Sequence, residues 1–303
     1  MRFTKKALLS VLMIAMVASL AMAGGSKEKA VDGVGGPVNI AYVEWDREVA
    51  ITHVVGEILD RAGYDVTIRS VANAAMWQSV ATGDSDFHVA AWLPVTHQMF
   101  YGPEGQFTDQ VEDLGVTYNN AMLGLVVPSY VEENTVEELV ANAGAYNNKI
   151  VGIDPGAGMM QATEDAIADD VLGLGAFDLL EGSDATMMSA LQDAIRNNEP
   201  IVVTGWAPHI KFARFDLKIL EDPAGIYGGT ETINAIGRLG LKDDLPLVYE
   251  FLTTFDWISV EDDLISPVMV MTDEGMNPED AAAQIVADNT DLINSMLPEG
   301  LQI

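Results

Sequence analysis

The sequence contains no cysteine, which excludes disulfides, thiol nucleophiles and thiolate metal sites. Histidine is scarce as well. His53, His88, His97 and His209 show no HxH or HExxH spacing, so nothing calls for a zinc site, and no cofactor is expected. Positive charge is the third shortage: 15 Lys and Arg stand against 46 acidic residues, a formal net charge of −31. Such a surface disfavours nucleic acid and anionic membranes as partners. It says little about a ligand with no net charge. No GxSxG nucleophile elbow is present. Beyond the N-terminus, no apolar run reaches the roughly 20 residues that a membrane span needs.

What is present begins with an address. Arg2, Lys5 and Lys6 precede an apolar run that ends near Ala21, and Ala21-Met22-Ala23 makes a small-x-small site before Gly24. That order predicts a secretory signal peptide over residues 1–23. No cysteine follows it to carry a lipid, so a soluble protein outside the cytoplasmic membrane is expected. Residues 24–36 (GGSKEKAVDGVGG) read as a flexible, glycine-rich leader.

From residue 38 strands and helices alternate. Residues 38–45 (VNIAYVEW), 64–71 and 87–92 have the apolar, β-rich character of strands. Helical periodicity covers 47–62 and 74–82, each stopped by a glycine, and a further helix is expected after Pro94. The pattern restarts with strands at 123–127, 149–154, 177–180 and 201–206, and helices at 136–141, 159–170 and 185–197. Helices at 245–253 and 278–297 follow. Alternation of this kind predicts βαβ units and a mainly parallel sheet. Two α/β lobes fit the order: 37–123 plus 218–303 as the first and 124–217 as the second.

In open α/β sheets a ligand sits beyond the carboxyl ends of the strands. Three of the five tryptophans stand there: Trp45, Trp92 and Trp206. Indole faces present a negative quadrupole and apolar surface together. That combination suits a quaternary ammonium, which has no N–H for a hydrogen-bond acceptor to read. Trp77 and Trp257 lie elsewhere in the pattern and are read as packing residues. An anion end is predicted at residues 152–160 (GIDPGAGMM), where a strand runs through a glycine turn into a helix. Free N–H groups at a helix start bind carboxylates. His97, five residues after Trp92, and His209, three after Trp206, compete as a further donor.

These segments match a known family. The chain resembles the glycine betaine/proline betaine substrate-binding proteins of osmoprotectant ABC importers. The resemblance rests on 41–46 (AYVEWD), 75–77 (AMW), 90–94 (AAWLP) with Thr96-His97, 124–128 (GLVVP), 152–158 (GIDPGAG) and 204–209 (TGWAPH), in consistent order over most of the chain. It implies an α/β, two-lobed periplasmic-binding-protein fold (type II) with a hinge between the lobes. It implies a tryptophan prism, Trp45, Trp92 and Trp206, around a trimethylammonium group. It places the carboxylate on the backbone N–H groups of Gly158 and Met159 and on His97, leaving His209 structural. The expected partners are a betaine and an ABC permease with its ATPase, the expected protein a periplasmic monomer without enzymatic activity. Binding of choline, carnitine or dimethylsulfoniopropionate, and a ligand sensor without transport, are the neighbouring readings. An exported hydrolase using Glu44, Asp46, Asp154 and His97 finds no supporting motif.

Overall fold

The first apolar run folds as β1 (Pro37–Tyr42) and pairs in parallel with β2 (Asp65–Ser70) and β3 (Phe87–Leu93). A computed structural model describes residues 35–303 of the chain; the expected signal peptide and the expected leader up to residue 34 lie outside the described residues. Between β1 and β2 runs α1 (Asp46–Arg61), with Trp45 as its N-cap. Ala50, Ile51, Val54, Val55, Ile58 and Leu59 recur on its buried face. Each large aliphatic side chain of that stripe contributes about 1.5–3 kcal/mol by leaving water, so packing rather than propensity holds the helix. The helix α2 (Asn73–Thr82) ends on Gly83, whose φ of 78° suits glycine best.

The second set repeats this layout. Its members are α3 (Val136–Ala141), β5 (Lys149–Val151), α4 (Gly158–Ala168), β6 (Asp178–Leu180), α5 (Asp184–Asn197) and β7 (Val203–Ala207). Here β5 pairs in parallel with β6 and β7. A reciprocal capping box starts α5: Ser183 accepts from the Thr186 N–H while the Thr186 hydroxyl accepts from the Ser183 N–H.

Two long strands join the sets and are antiparallel to their neighbours. β4 (Val111–Pro128) and β9 (Glu231–Arg238) give the order β2-β1-β3-β9-β4-β7-β5-β6, with β8 (Leu217–Ile219) on the side of β4. Residues Val111–Ala121 of β4 pair with β9, and Met122–Val126 pair with β7. The mainly parallel sheet expected from the sequence is therefore mixed: parallel within each set, antiparallel where the chain passes between them.

Other expectations are corrected in detail. After Pro94 there is a succession of turns rather than a helix. The predicted helix 278–297 is two, α10 (Pro278–Asp288) and α11 (Thr290–Met296), broken at Asn289. They follow α6 (Lys211–Arg214), α7 (Leu241–Asp244), α8 (Pro246–Thr254) and α9 (Ser266–Asp273). Both α9 and α10 pack on α1. One buried cluster, including Ile51, Val54, Phe251, Trp257 and Val286, fills that layer. A second, including Trp45, Trp92, Leu125, Met160 and Trp206, draws on both strand sets.

Candidate functional site

Trp45 follows β1, Trp92 is the penultimate residue of β3 and Trp206 the penultimate residue of β7. All three are buried and line one small cavity, together with His97, Gly158 and Met159. The six residues singled out in the sequence thus meet at one place. Thr96, Leu123, Ile153 and Ala157 complete the lining. A wider recess of about 490 Å³ adjoins it through Thr96, Leu123, Gly158 and Met159 and runs out past Gln98, Gln161 and Asp165. Trp77 and Trp257 are not part of the wall. Trp77 stacks on Phe100 (5.5 Å between ring centroids) and backs His97, and Trp257 packs on Phe255.

Each indole has a charged group behind it. The Trp92 Nε1–H donates to Oε1 of Glu48 (2.9 Å), and the Trp45 Nε1–H donates to both oxygens of Asp154 (3.1 Å each). An ionised carboxylate on the indole N–H adds negative potential to a ring already suited to cations; for Glu48, whose pKa burial raises to about 7, this holds above that pH. Trp206 has instead Nζ of Lys211 4.0 Å from its ring centroid and the His209 ring nearly perpendicular to it, 4.7 Å between centroids. His209 is otherwise engaged: Nδ1 accepts from the Lys211 N–H (3.0 Å) and Nε2 donates to Asp184 (3.0 Å). It belongs to the support of Trp206, and it does not line the cavity.

The opposite end of the cavity has free donors. Ala157 caps α4 and has no side chain to occupy its first N–H groups. Among the described residues, nothing accepts from the N–H of Gly158 or Met159. Gly158 is required there by space, since a Cβ would strike the carbonyl and methyl of Thr96. His97 adds a third donor by elimination. Its Nδ1 accepts from the Trp92 N–H (3.0 Å), which places the ring proton on Nε2. Nε2 then faces Nδ2 of Asn73 at 3.4 Å, but that amide already donates to the Gly156 carbonyl (3.1 Å). Two donors cannot satisfy each other, so the Nε2–H has no acceptor among the described residues, and His97 lines the cavity. Burial lowers the His97 pKa to about 3, so this donor is a neutral imidazole at any pH near 7.

The site therefore has an aromatic end backed by carboxylates and an end of three neutral N–H donors, with no cationic side chain in its wall. Several bonds tie one strand set to the other around it: Trp45 to Asp154, Asn73 to Gly156, and the Ile210 N–H to Asp46 (2.7 Å). Local sequence reasoning did not single out Glu48 or Lys211. Glu48 alone left a signal, an acidic residue on the apolar face of α1.

Residues 36–288 match the family model OpuAC, the substrate binding domain of an ABC-type glycine betaine transport system. The chain belongs to the OpuAC family. Members of OpuAC are substrate-binding proteins, not a class of enzymes. The chain is similar to the glycine betaine/carnitine transport binding protein GbuC of Listeria monocytogenes, 46% identical over 147 residues, or 48% of this chain and 48% of that one. It thus spans about half the length of this curated relative. The solved structures cover more. Lactococcal OpuAC in its closed-liganded conformation with glycine betaine is 36% identical, covering 87% of this chain and all of the other, with a TM-score of 0.79. The glycine betaine/L-proline-binding protein ProX of Borrelia burgdorferi is 34% identical, covering 87% and 97%, with a TM-score of 0.80. The periplasmic-binding-protein fold expected from the sequence is the fold of these OpuAC-type neighbours. Among the described residues, no helix is long and apolar enough to cross a membrane.

The ionisable groups behind the indoles make stability depend on pH. Burial raises the Glu48 pKa from 4.5 to about 7, so between these values the folded state keeps a proton that the unfolded chain has lost. Glu48 thus favours the fold below pH 4.5 and loses that contribution as pH rises toward 7. Burial lowers the Lys211 pKa from 10.5 to about 7, so its contribution is present above pH 10.5 and lost as pH falls to 7. Urea midpoints of Glu48→Gln are expected to lack the decline between pH 4.5 and 7. Those of Lys211→Met are expected to lack the rise between pH 7 and 10.5. Parallel pH profiles for variants and wild type would contradict the assignment.

Proposed function

We propose that this chain captures glycine betaine, or a closely related trimethylammonium zwitterion, and delivers it unchanged to the permease and ATPase of an ABC importer. The observation that carries this reading is the convergence of Trp45, Trp92 and Trp206 with three uncharged N–H donors on one small cavity. The indoles take the methylated cation and the Gly158 N–H, the Met159 N–H and His97 take the carboxylate. A site with no cationic side chain and no hydrogen-bond acceptor free at its aromatic end suits a ligand of zero net charge with no N–H of its own. The two lobes, 37–123 with 218–303 and 124–217, turn on the stretches that pass between them. The bonds from Trp45, Asn73 and Asp46 to the opposite lobe describe the closed form. A ligand touching both lobes favours closure by its differential affinity for that state. The signal peptide delivers the protein to the periplasm as a soluble monomer, and no group in the cavity is arranged to break a bond.

Choline has the same cation without the carboxylate. It leaves donors unpaired, at a cost of about 1–3 kcal/mol. A thermal-shift and calorimetry panel on the mature protein tests the reading. Glycine betaine at about 100 times its Kd is expected to stabilise the fold by about 2.7 kcal/mol, with choline at the same concentration doing distinctly less. A panel in which no betaine raises the melting temperature, or in which a bound betaine is turned over, removes the proposal.

A further inference from the structure

Glu231 opens β9 and is 2% exposed. Its neighbour Thr232 pairs with Leu93 at the end of β3, so the Glu231 side chain reaches the turn that begins at Pro94. There it gathers three donors. Oε1 accepts the N–H of Val95 (2.6 Å) and of Thr96 (2.9 Å), and Oε2 accepts the Thr96 hydroxyl in a short bond. No cation pairs with it among the described residues. A buried carboxylate held only by N–H and O–H groups fixes those groups firmly, since each charge-assisted bond is stronger than a neutral one. The segment so fixed carries His97 as its next residue. Its Thr96 carbonyl and methyl are also the atoms against which Gly158, the first residue of α4, is packed. On its other side Glu231 pairs with Ala121 of β4, one residue before that strand changes partner from β9 to β7.

We propose that Glu231 is the positioning residue of the anion end. It holds the Val95–Thr96 turn against the start of α4 and so sets the point where the His97 Nε2–H meets the N–H groups of Gly158 and Met159. It touches no ligand itself and does not line the cavity. This inference rests on the betaine reading, because the carboxylate is what those three donors recognise.

The test is a double-mutant cycle on glycine betaine affinity, read by calorimetry and by tryptophan fluorescence, in wild type, E231A, H97A and E231A/H97A. E231A is expected to weaken binding about tenfold. E231A/H97A is expected to be no more than about threefold weaker than H97A, because both changes disable the same donor set. Glu231→Gln restores most of the loss. Its amide oxygen can accept both N–H groups that Oε1 accepts now, and its NH₂ can donate to the Thr96 hydroxyl. Losses that add in the double variant, an E231A affinity within about twofold of wild type, or an E231Q as weak as E231A each overturn the proposal. If E231A does not fold, E231D, whose carboxylate is withdrawn by one methylene, takes its place in the cycle. A wild-type protein that ignores glycine betaine removes the functional reading instead, an outcome visible before any variant is made.

Discussion

Trp206→Ala is expected to weaken glycine betaine binding by more than about tenfold, with the remaining affinity carried by Trp45, Trp92 and the N–H donors. One desolvated cation–π contact is worth about 0.5–2 kcal/mol, and losing an indole also strips apolar contact from the methyl groups. Since 1.4 kcal/mol is a factor of ten, the sum exceeds that factor. The effect is amplified by what stands behind the ring. Lys211 is fully buried, and its Nζ has no hydrogen-bond partner among the described residues beyond its approach to the Trp206 face. Alanine would open a path from that amine to the cavity, setting a nitrogen that is charged below about pH 7 near the ligand's own cation. Trp206→Phe keeps a smaller aromatic face between them and should fall between the two. Titration calorimetry at pH 6 and pH 8 separates the contributions: the lost ring costs affinity at both, the uncovered lysine more at pH 6. An unchanged Kd in Trp206→Ala would end the cage assignment.

The tryptophans were legible because each ends an apolar, β-rich run, where the topology of an α/β sheet puts ligands. The anion end was legible for the same reason, as a strand, a glycine turn and a helix without a capping side chain. Other parts left no local trace. The first half of β4 contains register shifts between Asp113 and Ala121, with Gly115 at φ 119° and Asn120 at φ 63°. Those bulges break the alternation by which a strand is recognised, so only its buried end, 123–127, was read. The stretch after Pro94, where a helix was expected, folds as turns whose N–H groups at Val95 and Thr96 are taken by Glu231, 136 and 135 residues away. A partner at that separation has no signature in a local window. The same holds for Asp154 on Trp45, 109 residues apart. The sequence pattern thus locates the surfaces that face the ligand, while the groups that aim those surfaces appear only once distant segments meet.

The support of α1 shows how much stability hangs on one such distant pair. The Arg47 side chain is wholly buried and contacts Glu261 through Nε (3.0 Å) and Nη2 (2.7 Å), and the Thr117 carbonyl through Nη2 (3.0 Å). Its guanidinium lies 5.0 Å from the centroid of Tyr118. Glu261 keeps 12% of its side chain exposed, so the two partners are not equivalent. Glu261→Ala leaves a permanent cation in the interior without its counter-charge, since guanidinium cannot shed its proton. The expected loss is about 3–5 kcal/mol, a large share of the roughly 5–15 kcal/mol of a typical domain. Arg47→Met leaves a carboxylate that water can reach and should cost less. The double variant Arg47→Met, Glu261→Leu removes both charges and should recover much of the deficit, because burying an ion pair gains little over burying apolar groups of similar volume. Urea unfolding of the three variants gives the ordering directly. Arg47 stands between Asp46, which binds the Ile210 N–H of the second strand set, and Glu48, which holds Trp92. Glycine betaine bound to the folded state is expected to stabilise wild type and Glu261→Ala alike, so the cost of the substitution stays the same where the two share one Kd and grows where the variant binds more weakly. Loss of less than about 1 kcal/mol would mean that water already reaches the guanidinium, and that α1 is held by its apolar face alone.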